Sequence, residues 1–349
     1  MPAPKVLDDH VRFLFDDPDG LWAEVCLECS PAVPGARRYA EVDGGWELRL
    51  PRPPLQRLEY RLELTRRDGR HEVVLDPGNP VVVPTVFGDR SVLELPGYAA
   101  PAWLTAPAVP GHYEALQVVG ETPQALPVTV WSPEGVAPSE PLPLLVAHDG
   151  PEYDVYASLT RYSAAMVCAG VLPPHRVALA QPVDRDAWYS GSPQYLRTLL
   201  RAGLDRLESV YATPGPVVVM GASLGGLTAL LAGLLGAPQV GGVFAQSGSF
   251  FQVRHDDEES GFRYFGRISR SVATVLDARH TEHPLHVAMT CGALEGNLSN
   301  NEDMAAALRR AGHDVTFTTV ADLHSYTAWR DSLDPALTDL LRKCWGTQG

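Results

Sequence analysis

Residues 217–226 form an apolar run, Val217 to Met220, that passes through Gly221-Ala222-Ser223-Leu224-Gly225 into a further Gly226-Leu227. A serine held where a strand turns sharply into a helix projects its hydroxyl above the sheet, which is the geometry for attack on a carbonyl carbon. Glycines two residues to either side let strand and helix approach without colliding Cβ atoms. The five-residue pattern alone is weak, because 31 glycines will produce chance matches. The strand-like run before it and the helical run after it supply the required context, so Ser223 is the candidate nucleophile. The Leu224 backbone N–H then becomes a candidate oxyanion donor, a role worth about 3 kcal/mol per donor in comparable hydrolases.

A serine hydroxyl needs an imidazole base, and in this strand–turn–helix setting the order along the chain is serine, acid, histidine. Among the downstream histidines, His255 lies in the acidic run His255 to Glu259, His280, His283 and His286 approach a strand, and His313 precedes one. These read as surface or packing groups. His324 follows the last predicted strand, Val315 to Val320, and precedes the final helix, which places it on a loop at the same sheet edge as Ser223. The orienting carboxylate should follow the preceding strand, His286 to Thr290, where Cys291-Gly292-Ala293-Leu294-Glu295 offers Glu295. It would hold the imidazole in one tautomer and stabilise the imidazolium. Asp303 and Asp322 read as surface groups. The His280, His283, His286 triple is not a metal site, since Pro284 breaks helical spacing and no carboxylate cluster adjoins it. No cofactor or metal is needed for this chemistry.

The elements that must position these groups follow from periodicity. From Tyr113 onward, two strand-like runs (Tyr113 to Val119, Val128 to Trp131) precede apolar runs that alternate with helical segments, which predicts a mostly parallel sheet covered by helices. The buried strands are Leu142 to Ala147, Val177 to Ala180, Val217 to Met220, Val243 to Ala245, His286 to Thr290 and Val315 to Val320. Helices are expected near Ser158 to Cys168, Gln194 to Tyr211, Leu224 to Leu235, Ile268 to Asp277, Glu302 to Ala311 and from about Tyr326 to Cys344. Before Leu95, short β-rich runs separated by Asp43-Gly44-Gly45 and Asp68-Gly69 suggest a small β-sandwich. Four prolines from Pro96 to Pro110 argue against a helix or central strand there. The expected organisation is residues 1–100 as the β-sandwich, 101–110 as a proline-rich linker and 111–349 as the catalytic α/β unit. Every triad candidate lies in the latter, so the β-module is expected to shape substrate access rather than supply chemistry.

Composition sets limits. The 349 residues are 45% hydrophobic and 20% charged, as in a folded globular protein. With 42 acidic against 28 basic residues the net charge is −14, which disfavours nucleic acid and anionic lipid as partners. No charged residue lies between Glu208 and Arg254, but prolines and glycines interrupt that stretch, so a buried strand, helix and strand explain it better than a membrane span. Met1 to Phe15 has no apolar core of a secretory signal, which makes a cytoplasmic location the expectation. Cys26 and Cys29 are the one close pair among five cysteines and read as bystander thiols. Self-association into a homo-oligomer is compatible with the sequence.

The constellation resembles the enterochelin esterase branch of the esterase family of α/β-hydrolases, whose relatives include feruloyl esterases and mycolyltransferases. His148-Asp149-Gly150 looks like the family's Asp-Gly turn, Asp184-Arg185 with Trp188-Tyr189 its arginine segment, and residues 221–226 its nucleophile elbow. Gly292 to Glu295 matches the acid loop, and His324-Ser325-Tyr326-Thr327-Ala328-Trp329-Arg330 the histidine loop. Asp76-Pro77-Gly78-Asn79-Pro80 and Gly88-Asp89 resemble an early-set, immunoglobulin-like module. The resemblance implies an α/β-hydrolase fold, a serine esterase acting on a small-molecule ester such as a siderophore, and Asp149, Tyr153, Arg185 and Trp329 as substrate-binding residues. It also implies a second oxyanion donor after the Asp-Gly turn. Here that position is Pro151, which has no N–H, so Gly150, Glu152 or another group must serve, with Gly150 the candidate. The acidic run Asp256 to Glu259 on the nucleophile's edge departs from the basic pocket expected for an anionic siderophore. An acyltransferase or a feruloyl-type carbohydrate esterase would use the same triad, and a noncatalytic binding protein on this fold is the alternative from another class.

Overall fold

The structure, a computed structural model, describes residues 1–346. It divides into two compact units, Met1–Ala99 together with Ala321–Leu323, and the remainder of the chain.

The first unit consists of two antiparallel sheets. One orders β1 (Lys5–Val6), β2 (His10–Asp16), β5 (Gly45–Pro51) and β4 (Ala40–Val42) side by side. The other orders β3 (Trp22–Cys29), β6 (Arg57–Arg66), β9 (Arg90–Glu94) and β8 (Val82–Val83), with β7 (His71–Val74) paired to β6. Strand alternation explains the packing, since β2 buries Val11, Phe13 and Phe15 and turns the residues between them outward. Phe13 meets Tyr60 of the opposite sheet edge-to-face at 5.3 Å, and Phe15 meets Trp22 at 6.2 Å. The residues 321–323 belong to this unit because Gln56 N–H donates to the Ala321 carbonyl (2.7 Å) and Arg57 Nη2 donates to Asp322 Oδ2 (2.5 Å). Asp322 is therefore a buried, ion-paired carboxylate, not the surface group expected from its place two residues before His324.

The second unit is built on one sheet of eight strands in the order β10-β11-β13-β12-β14-β15-β16-β17. These are β10 (Gly111–Val118), β11 (Leu126–Pro133), β12 (Leu144–His148), β13 (Arg176–Ala180), β14 (Val217–Ala222), β15 (Val240–Gln246), β16 (His286–Gly292) and β17 (Asp314–Val320). The β10–β11 and β11–β13 pairs are antiparallel and the rest parallel. Successive residues of a central strand feed opposite faces: Leu144, Val146, Val217 and Val219 pack in one core, Leu145, Ala147, Val218 and Met220 in the other. Both faces are covered, so these strands read as continuous apolar runs.

The helices are α1 (Gly150–Ala157), α2 (Leu159–Cys168), α3 (Arg185–Tyr189), α4 (Pro193–Arg197), α5 (Leu204–Val210), α6 (Leu224–Gly236), α7 (Phe265–Asp277), α8 (Leu298–Ala311), α9 (Tyr326–Asp331) and α10 (Leu333–Trp345). Helix α6 is buried from Leu224 through Gly233, which accounts for the charge-free stretch as strand, helix and strand. Among the described residues no helix is long and apolar enough to cross a membrane. Two expected helices are divided. The segment Gln194 to Tyr211 becomes α4, a wider π-helical turn at Thr198–Gly203, and α5. The last helix breaks at Ser332, and Asp334 is extended ahead of Pro335, the conformation the proline ring imposes on its predecessor. Helices α1 and α3, which periodicity did not predict, flank the site.

Candidate active site

Ser223 sits between β14 and α6 with φ +55° and ψ −124°, a strained conformation for a residue with a side chain. Close glycine packing imposes it: a Cβ on Gly221 would lie 2.4 Å from the Gly225 carbonyl oxygen. The Ser223 N–H donates to the Gln246 carbonyl (2.9 Å), and Ser223 in turn accepts from the Ser249 N–H (3.0 Å), which ties the turn to the end of β15. The Ser223 hydroxyl lies 3.2 Å from the Ser249 hydroxyl. Leu224 is the first residue of α6, where backbone N–H groups have no partner within the helix and the dipole favours negative charge.

Glu295 and His324 meet as the loops after β16 and β17. The His324 Nδ1 lies 2.6 Å from Glu295 Oε2, and because a carboxylate only accepts, Nδ1 carries the proton and Nε2 is left as the basic nitrogen. Glu295's side chain is 3% exposed and His324's 42% exposed, so the acid is shielded while the imidazole faces solvent. The second carboxylate oxygen, Oε1, accepts from the Gly292 N–H and the Ser247 hydroxyl, both at 2.7 Å. Trp329 packs edge-to-face on the His324 ring at 5.0 Å.

Gln246 and Ser247, which sequence reasoning did not single out, join these parts. Besides accepting from Ser223, Gln246 donates through Nε2 to the Trp329 carbonyl (3.0 Å) and the Ser332 hydroxyl (2.8 Å). The Ser247 hydroxyl donates to Glu295 and accepts from the Trp329 indole N–H (3.0 Å). Tyr153 and Trp329, both expected as substrate-binding residues, direct their polar atoms to partners inside the protein. The buried Tyr153 hydroxyl donates to Gln246 Oε1 (2.8 Å), and the two rings stack at 6.3 Å.

Asp149, at the end of β12, has φ +52° and is buried, while Arg185 of α3 is half-exposed. Arg185 Nε and Nη2 bind its two oxygens at 2.7–3.0 Å. Burial raises the Asp149 carboxyl pKa and the guanidinium opposes it. Asp149 abuts the elbow, since a Cβ on Gly225 would lie 3.3 Å from its Oδ2. Gly150 must be glycine, because a Cβ there would lie 2.3 Å from Leu179 Cα. Burial raises the Glu152 carboxyl pKa. His148 is fully buried among Tyr189 and Tyr195, and burial pushes it down to about 4.

The other histidines lie in different settings. His255 pairs with Asp303 and His286 with Asp314, and His313 accepts the Leu285 N–H. Among the described residues no group of histidine, cysteine and carboxylate side chains could hold a metal ion. In the acidic run Asp257 to Glu259 are exposed, whereas Asp256 is buried and accepts from Gln252 N–H and Asn300 Nδ2. All five cysteines are free thiols.

Residues 120–340 match the Esterase family, described as "Putative esterase". The iron(III) enterobactin esterase of Dickeya dadantii is 29% identical over 202 residues, a match covering 55% of this chain and 46% of that protein. The chain thus spans about half the length of the curated relative it matches. Among solved structures, the ferric enterobactin esterase of Salmonella typhimurium aligns with a TM-score of 0.80 at 20% identity, covering 98% of this chain and 96% of that one. The enterobactin esterase of Shigella flexneri, crystallised in the presence of enterobactin, aligns at 0.78 and 20% identity with the same coverage. A ferulic acid esterase aligns at 0.54 and 17% identity over 68% of this chain and 99% of its own. These likenesses show a shared α/β-hydrolase fold.

Proposed function

The chain belongs to the Esterase family, and on that premise we propose that it hydrolyses carboxylic esters through an acyl-enzyme on Ser223, with siderophore esters as its substrate class. The observation that carries the proposal is the short Glu295–His324 bond on the loops after β16 and β17, at the strand ends where β14 presents the strained Ser223. In this reading Ser223 Oγ attacks the ester carbonyl as its proton passes to His324 Nε2, and Glu295 holds Nδ1–H and stabilises the imidazolium. Collapse of the tetrahedral intermediate breaks the bond to the alcohol, which takes the proton from His324. Water then attacks the acyl-serine with the same base, releasing acid and regenerating the hydroxyl.

The Leu224 N–H is one oxyanion donor. The Gly150 N–H is the second, since Pro151 has no N–H. The siderophore class comes from the relatives named above, and the half-exposed Arg185 beside the elbow offers an anionic ester a cation. A panel of siderophore lactones and aryl esters on purified protein tests the proposal. Turnover of the lactones that Ser223→Ala abolishes is expected, and a wild-type protein inert to every ester would overturn it.

A further inference from the structure

We infer that Ser247 is a positioning residue for proton transfer, acting through its hydroxyl on Glu295. The inference rests on the Ser223, His324 and Glu295 reading above. A hydroxyl has one proton to give, and Ser247 gives it to Glu295 Oε1 at 2.7 Å while accepting the Trp329 indole proton at 3.0 Å. Glu295 is thereby filled on one oxygen by Ser247 and Gly292, which leaves Oε2 aimed at His324 Nδ1. Without the Ser247 donor Oε1 keeps only the Gly292 N–H, so the terminal torsion of the carboxylate, a soft one, is held less firmly and the direction of the imidazole with it.

The backbone around Ser247 is held for this task. Its N–H donates to the Thr290 carbonyl (2.7 Å), and its carbonyl accepts from Asn297 Nδ2 (2.9 Å). Asn301 fixes the next residue from both sides, accepting from the Gly248 N–H and donating to its carbonyl, each at 3.0 Å. Ser247 itself has φ +48°, where glycine would be the easier residue. A side chain is kept at a position whose backbone disfavours one, and the bonds of that side chain run to the acid and to the tryptophan packed on the base.

Ser247→Gly is the test variant, because glycine relieves the backbone and removes only the hydroxymethyl group. On an aryl ester it should lower kcat by about tenfold to a hundredfold, the usual worth of a hydrogen bond to a charged group. KM should stay near wild type, because Ser247 is 1% exposed, and Tm should fall only slightly, since relief of the φ +48° backbone offsets the loss of the Trp329 indole acceptor. Trp329→Phe, which loses the indole donor, should lower kcat in the same direction by less. A second readout needs no turnover: the His324 Nδ1 proton in its 2.6 Å bond should give a downfield ¹H NMR signal, identified by its loss in His324→Gln. That signal should shift or exchange away in Ser247→Gly. Wild-type kcat in Ser247→Gly, or a kcat loss accompanied by a matching fall in Tm and an unmoved signal, would overturn the inference. If the wild-type protein turned over no ester, the hydrolase reading would fail separately, and the signal alone would decide for Ser247: moved supports it, unmoved overturns it.

Discussion

Replacing Glu295 by glutamine keeps the shape of the side chain and reverses one of its hydrogen-bonding ends. Oε1 accepts from the Gly292 N–H, a backbone donor that cannot turn away, so the amide oxygen must stay there. The amide NH₂ then occupies the Oε2 position, 2.6 Å from His324 Nδ1, and presents a proton to a nitrogen that carries one. The imidazole relieves the clash by moving its proton to Nε2, which leaves no base facing the serine. An equivalent tautomer trap in the chymotrypsin-type triad costs about 10⁴ in kcat, or about 5 kcal/mol of transition-state stabilisation. We expect Glu295→Gln to lose about 10³- to 10⁴-fold in kcat on an aryl ester at neutral pH, with unfolding within about 1 kcal/mol of wild type because the volume is unchanged. Steady-state kinetics beside chemical denaturation measures both. A variant within tenfold of wild-type kcat would refute the tautomer argument and remove Glu295 from the triad.

Ser223→Ala should abolish aryl-ester turnover and leave the thermal unfolding profile nearly unchanged, while His324→Ala should be about as damaging and more so than Glu295→Gln; an active Ser223→Ala, or an active His324→Ala beside a silent His313→Ala, would overturn the assignment. Arg185→Met should cost about 2 kcal/mol by stranding the buried Asp149 carboxylate, at the low end for a broken pair because the guanidinium is half-exposed; a double-mutant cycle with Asp149→Asn that finds no coupling would refute this. His148 and His175 are both buried and pushed from 6.5 down to about 4, so between those pH values the unfolded chain binds protons that the folded one does not. Unfolding free energy should therefore fall as pH drops from 6.5 to 4, by about 3 kcal/mol for each histidine at the lower limit, and urea melts of a His148→Gln, His175→Gln variant should fall less; identical pH slopes would contradict it.

The sequence made legible those features that local pattern dictates. A strand, Gly221 to Gly225 and a helix leave one conformation for Ser223, and the alternation of apolar runs with helical segments gives a parallel sheet whose successive loops carry Glu295 and His324. Helices α1 and α3 escaped because Gly150-Pro151 reads as a turn and because α3 has only five residues. Gln246 and Ser247 escaped for a different reason: their partners lie 23 to 86 residues away, a pairing only the folded sheet creates. Asp322 looked exposed until Arg57, 265 positions earlier, was seen to pair with it.

If Ser223 is a nucleophile activated by His324, it is open to covalent capture. Peptide mapping of the protein after reaction with a fluorophosphonate locates such a residue, because the reagent phosphonylates an activated serine. One adduct is expected, on the peptide carrying Ser223, lost in Ser223→Ala and nearly lost in His324→Ala. An adduct on Ser249, whose hydroxyl lies 3.2 Å from that of Ser223, or labelling that survives loss of His324, would contradict it.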